Sequence, residues 1–322
     1  GGAWAGRPGP VWVMGQAATE RTATTTETAE MQSLLRQCLD AGAIGLSTSF
    51  VDMDEKLQPV PSRYADHAEL DALCAVLAEY NRILQVVHEF YDIDLTIGRI
   101  DQLAELSLTH KITTTLSPLF INRGDFEGVD RVIARIVEQN AAGARVWPQV
   151  QTRPIDISFS FAVPSLLFIR LRGWYRVMRF GTPATIMAAF QDEAQRRQLV
   201  QEATSMMPLW STLILRQVQT EANQQYVGKT LAEIAELRGT DALNAMIDLS
   251  LEESLDAHFI SADMGHNDDD KVGSMLRHPH VMIGASDGGA HILSFSTYGD
   301  TGYLLGHFVR DKQLLSMEEA IK

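Results

Sequence analysis

The sequence is short of cysteine, of basic residues and of long apolar runs, and each shortage removes a class of function. Two cysteines, Cys38 and Cys74, in 322 residues exclude a disulfide framework and a four-cysteine zinc site. Both fall at apolar positions of helix-like stretches, which reads as buried free thiols. Lysine and arginine number 27 against 41 aspartates and glutamates, a formal charge of −14. Phosphate neutralisation needs clustered positive charge, so no nucleic-acid partner is expected. No run reaches the roughly 18 apolar residues of a spanning helix. The nearest, "FAVPSLLFI" at 161–169, is broken by Pro164 and followed by Arg170 and Arg172, so no membrane partner is expected either. There is no secretory leader pattern, and the expected location is cytoplasmic. Internal repeats and low-complexity tracts are absent too. The chain opens "GGAWAGRPGP" without Met and stops at Lys322 inside a helix-like stretch; a fragment of a longer protein is expected.

What is present is a rhythm. Apolar residues make up 45% of the chain, a globular proportion. Strand-like runs "VWVMG" (11–15), "AIGLST" (43–48), "ILQVVHE" (83–89), "KITTTLSPL" (111–119), "RVWPQVQ" (145–151) and "VMIGASD" (281–287) alternate with helix-like runs. In "TTETAEMQSLLRQCLDAG", Met31, Leu34, Leu35, Cys38 and Leu39 share one face, and Gly42 suits a C-terminal cap. Apolar strands separated by amphipathic helices mean parallel βα units. The expected fold class is therefore α/β, a (β/α)₈ TIM-like barrel, incomplete in this chain. It would occupy 1–322 as one partial barrel domain. The stretch 155–227, rich in aromatics, Met and Arg, breaks the rhythm and reads as a mostly helical insertion. "TLAE" (230–233) and "SMEE" (316–319) have capping-box spacing and predict helix starts.

In a parallel barrel the C-terminal ends of the strands carry the chemistry. This sorts the candidates. His88 ends "ILQVVHE" and lies at the mouth, where a neutral imidazole could bind a metal or simply be a satisfied core residue. Asp287 ends the last strand, and His291 follows in the same loop. Gly288 and Gly289 let the chain turn sharply and leave room for a reacting group. Asp287 is thus placed as a general base, the bland alternative being a capping carboxylate. Arg153 follows another strand and could clamp a substrate carboxylate, or serve a rim salt bridge. His110 precedes a strand and belongs to the opposite, stability-bearing end. "HPH" (278–280) is also on the wrong side, about 23 Å along an extended strand from Asp287. "GHNDDDK" (265–271) lacks calcium-loop spacing and reads as a solvated helix start. "GKT" (228–230) lacks the glycine and the leading strand of a phosphate loop.

Four blocks, "AGAIGLSTS" (41–49), "GKTLAEIAELRGTDALNAMIDLSLEE" (228–253), "LRHPHVMIGASDGGAH" (276–291) and "LLGHFVRDKQLLSMEEAI" (304–321), resemble the amidohydrolase superfamily, in particular its N-acyl-D-amino-acid deacylase branch. The resemblance implies a bacterial hydrolase acting on carbon–nitrogen bonds other than peptide bonds. It implies a small N-acyl-amino acid or similar linear amide as substrate, one or two zinc ions, and a barrel flanked by a β-sandwich. Asp287 matches the general base and His88 the histidine that ends strand five. His291 and, from its place after a strand, Arg153 are the expected substrate contacts. The histidine of strand six has no counterpart: "TTTLSPL" offers Ser117, a poor zinc ligand. The first-strand histidine pair and the flanking sandwich are missing, so this stretch alone is expected to be inactive. Two other readings stand beside this one, a cyclic-amide hydrolase and a metal-free barrel serving as a binding or assembly module. Sequence alone does not set the oligomeric state.

Overall fold

Short runs of two to six residues form the strands, and the amphipathic stretches between the parallel ones form helices. The computed structural model describes residues 9–54, 58–121, 126–163, 165–168, 170–262, 264–284, 295–296 and 299–321. Its strands are β1 (Gly45–Ser49), β2 (Ile83–Val87), β3 (Thr114–Leu119), β4 (Val146–Val150), β5 (Asp156–Phe159), β6 (Ile214–Gln217), β7 (His258–Ser261), β8 (Met282–Ile283) and β9 (Phe295–Ser296).

Five of them form one sheet in the order β1-β2-β3-β4-β8, every neighbouring pair parallel. Helices Thr25–Asp40, His67–Glu79, Ile93–His110 and Phe126–Ala141 link or precede successive strands. The protein is thus α/β with a parallel sheet, as the rhythm predicts. Side chains alternate across each strand. Leu46, Leu84, Val86, Leu116, Val146 and Val150 point into one core with Met31, Leu35, Leu39, Leu73, Leu77, Ile100, Leu103, Val132 and Ile136 of the helices. The opposite face is polar. Ser47 Oγ donates to Gln85 Oε1, Gln85 Nε2 to Ser117 Oγ at 3.0 Å, and Gln149 Nε2 to Thr115 Oγ1 at 3.0 Å.

Local chemistry fixes the helix ends. Thr24 and Glu27 form a capping box at the start of Thr25–Asp40. At its end Gly42 has φ +102°, with Gly42 N–H donating to Leu39 O and Ala43 N–H to Cys38 O, both 3.0 Å. That pair of bonds is a Schellman stop. Capping boxes also begin Leu231–Arg238, at Thr230 and Glu233, and Met317–Ile321, at Ser316 and Glu319.

The first expected strand is a correction. "VWVMG" lies in a helix, Gly9–Met14, followed by a 3₁₀ turn, Gly15–Thr19. Pro10 sits in its first turn, a position that favours helix initiation. Trp12 is 82% exposed, while Val13 and Met14 pack on the first core.

A second unit follows β4. The stretch 155–227 holds helices Arg172–Phe180, Pro183–Gln191, Glu193–Ala203 and Met207–Thr212, but also β5 and β6. With β7 and β9 these make an antiparallel sheet, β6-β7-β5-β9. Its core is separate and aromatic: Phe159, Phe161, Phe168, Trp174, Phe190, Trp210 and Phe259. The indole N–H groups of Trp174 and Trp210 donate to Leu199 O (2.8 Å) and Ala203 O (2.9 Å), so neither is left unsatisfied. Among the described residues no helix is long and apolar enough to cross a membrane.

Candidate functional site at the carboxyl ends of the parallel strands

Because β1 to β4 and β8 run the same way, the residues that follow them gather at one end of the sheet. His88 comes directly after β2. It is 1% exposed, and its buried Nδ1 has no hydrogen-bond partner among the described residues. Its carbonyl accepts the Phe90 N–H at 2.8 Å, which turns the chain sharply at this point. Burial pushes the imidazole down to about pKa 4, against the opposing pull of the Glu89 charge and the Ser117 backbone. At neutral pH the ring is therefore uncharged with one open nitrogen. That is the form that ligates a metal or accepts a proton.

The neighbouring loops are tied down. Arg99 Nη2 lies 2.7 Å from Glu89 Oε1, and its guanidinium stacks 3.4 Å from the centre of Phe50, the residue after β1. Arg153, after β4, lies 3.6 Å from Asp156 through Nη2 and 6.0 Å from the Tyr303 ring centre. Thr152 holds the helix that carries Tyr303. Its N–H donates to Asp300 Oδ1 at 3.2 Å and its hydroxyl to Asp300 O at 3.0 Å. The structure thus brings His88 and Arg153 to the same end of the sheet. Asp287 and His291 lie outside the described residues.

The discarded candidates are at the other end or on the surface. His110 ends the helix before β3 and pairs with Asp71 at 2.7 Å. His280 stacks on Trp147 and lies 3.2 Å from Asn140, whose side chain binds both the N–H and the carbonyl of Val146 where β4 starts. Asp268 caps the helix Asp269–Leu276 through the Lys271 N–H at 2.7 Å.

Within that acidic stretch, sequence reasoning missed His266. It is 2% exposed, with φ +55° and its ring stacked on Phe120 at 5.0 Å. The signal available was Gly265, which the chain needs for a close approach. A Cβ there would stand 2.3 Å from both Ile121 O and Phe120 Cζ.

His88 fits as one metal ligand, since a neutral buried imidazole with an unpartnered nitrogen suits Zn²⁺. Ser117 does not add a second, because its hydroxyl accepts the Gln85 amide at 3.0 Å. Among the described residues no group of three or more His, Cys, Asp or Glu gathers into a metal-binding set.

No protein-family model matches the chain, and no curated sequence matches it. Solved structures do. The N-acyl-D-glutamate deacylase of Bordetella bronchiseptica, complexed with zinc and a phosphonate mimic of the tetrahedral intermediate, has a TM-score of 0.56 and 19% identity. The match covers 95% of this chain and 52% of that one. A D-aminoacylase that defines a subset of amidohydrolases gives 0.56 at 17% identity, over 97% and 53%. A D-aminoacylase structure concerned with a binuclear metal centre gives 0.55 at 18%, over 97% and 53%. The likeness is one of fold, and this chain spans about half the length of those proteins.

Proposed function

We propose that the whole protein is a metal-dependent hydrolase that cleaves the amide bond of N-acyl-amino acids or similar linear amides, in a (β/α)₈-type barrel. The observation that carries this reading is His88: a neutral, buried imidazole whose Nδ1 is open among the described residues, delivered by a parallel strand to the end where such sheets place their chemistry. The fold likeness to D-aminoacylases supports the same reading. A zinc ion at His88 would supply Lewis acidity toward the scissile carbonyl and an acidified water. This chain's residues would do the rest. Asp287 would take the proton released as water attacks and return it to the leaving amine. Arg153 would hold the substrate carboxylate, with Tyr303 beneath its guanidinium, and His291 would contact substrate from the loop after Asp287.

One observation favours a second reading. The Ser47–Gln85–Ser117 chain of hydrogen bonds fills the place of a ligand with a structural contact, as a metal-free binding module would. Metal analysis and deacylase assays of the full-length protein decide between them. About one zinc per chain, with turnover of N-acyl-D-amino acids, supports the hydrolase. A folded protein without zinc or turnover overturns it in favour of the module.

A further inference from the structure

A short strap, residues 264–266, fastens the second unit to the mouth of the parallel sheet, and the fastening uses an imidazole. Ile121 N–H donates to His266 Nδ1 at 3.0 Å, and His266 N–H donates back to Ile121 O at 3.2 Å. Met264 N–H donates to Ile155 O at 3.0 Å, which extends the β5–β7 pairing and anchors the strap to the second unit, while the two bonds to Ile121 anchor it to the end of β3. Phe120 covers the ring at 5.0 Å, and Gly265 lies so close to Phe120 and Ile121 that no side chain fits. We infer that this strap is an acid-sensitive latch: it holds the second unit against the end of β3 while His266 is neutral and releases it when His266 takes a proton.

The chemistry follows from the donor. Ile121 offers an N–H, so Nδ1 must keep its lone pair, and protonation there turns an acceptor into a second donor facing a donor. Nε2 is buried and has no partner among the described residues, and the Leu119 backbone, which favours the imidazolium, is outweighed by the cost of burying its charge. The ring faces Leu119, Phe120 and Ile121 at the end of β3, and its own neighbours Met264 and Gly265 are uncharged. The nearest described charges along the chain are already engaged, Asp268 with Lys271 N–H and Asp269 with His307 and Lys312. Burial accordingly pushes His266 down to about pKa 3.

The sign is fixed by linkage. An open latch exposes an imidazole of ordinary pKa, about 6.5. Between that value and about 3 the open form binds a proton that the closed form refuses. Opening therefore becomes more favourable as pH falls below 6.5, by up to tenfold per unit.

Hydrogen exchange of the full chain, corrected for the intrinsic pH dependence of the amides, tests this. Protection in peptides covering 119–121 and 264–266 should fall about tenfold from pH 7.5 to 5.5, while β6 and the helices of the second core hold theirs. His266→Asn supplies the control, since the Asn carbonyl accepts the Ile121 N–H, tolerates positive φ and does not titrate. That variant should show no such pH dependence. Protection that stays constant in the wild type, falls equally over the whole chain, or falls as much in His266→Asn overturns the latch. Should the variant fail to fold, the wild-type profile decides alone. None of these readouts involves hydrolysis, so the latch and the proposed function stand or fall separately.

Discussion

Two cores lie side by side in this chain and are finished differently. The first is aliphatic, built from Leu, Ile and Val on parallel strands and one layer of helices. Across the strands from it lies a face of Ser47, Gln85, Thr115, Ser117 and Gln149, whose polar groups bind one another. The second core is closed on itself by five phenylalanines and two tryptophans, with the indole N–H groups satisfied internally. Aromatic rings bury much area per residue and lock one packing; hydroxyls and amides leave a surface that can exchange partners. Under the proposed function, the difference would separate work from support. His88 and Arg153 stand at the ends of the parallel strands, while the second unit holds its apolar groups away from solvent.

If that division holds, substitutions on the two sides should fail in different measurements. The largest effect is expected at the mouth. In an active full-length protein, Asp287→Asn should lower kcat by about 10²–10⁴ with KM little changed and with melting temperature preserved. Near-normal turnover would remove Asp287 from the chemistry. In the second core, Trp174→Ala should destabilise the fold by about 3–5 kcal/mol, read by denaturant unfolding, and leave the kcat of the remaining folded protein alone. Loss of turnover without loss of stability would blur the two roles.

Acid comes next. The folded-state pKa of His88 is depressed to about 4, so the unfolded chain binds the extra proton between 6.5 and 4. Stability from this group is complete above pH 6.5, declines as pH falls through that window by up to about 1.4 kcal/mol per unit, and loses nothing more below it. His266 declines in the same sense down to about 3. Replacing His88 with Asn should remove about half of the combined slope between pH 6 and 5; an unchanged slope would show that His88 is not neutral when folded. The smallest effect should ignore the division altogether. Thr24→Ala, beside the aliphatic core, and Thr230→Ala, beside the aromatic one, each delete a capping box and should each lower stability by about 1 kcal/mol.

The aliphatic half was the legible half. Runs such as "ILQVV" and "RVWPQV" become β2 and β4 because strands covered on one face by helices leave a strong apolar signal, and Thr24 and Thr230 cap where the spacing predicts. "VWVM" misled because a four-residue apolar run fits a strand or a helix equally, and Pro10 tipped it toward helix. β5, β6, β7 and β9 escaped because each is four residues or fewer and pairs antiparallel with a segment far away in sequence. His88 and Arg153 could be placed from strand direction alone. His266 could not, since its burial depends on Phe120 and Ile121, which no local pattern links to it.

The strand pairing also sets a timetable. β1 through β4 each join their neighbour across a helix, with side-chain bonds between residues 38, 32 and 34 positions apart. They can zip together in order as the chain leaves the ribosome. The antiparallel sheet cannot, because β5 needs β7 and β9, the last at Phe295–Ser296. Until then Phe159, Phe161, Phe168, Trp174 and Trp210 have been synthesised without the sheet they belong to. Distant pairing of this kind is slow to form and leaves apolar surface open meanwhile. The aromatic unit is thus the stretch of a nascent chain on which a chaperone would act.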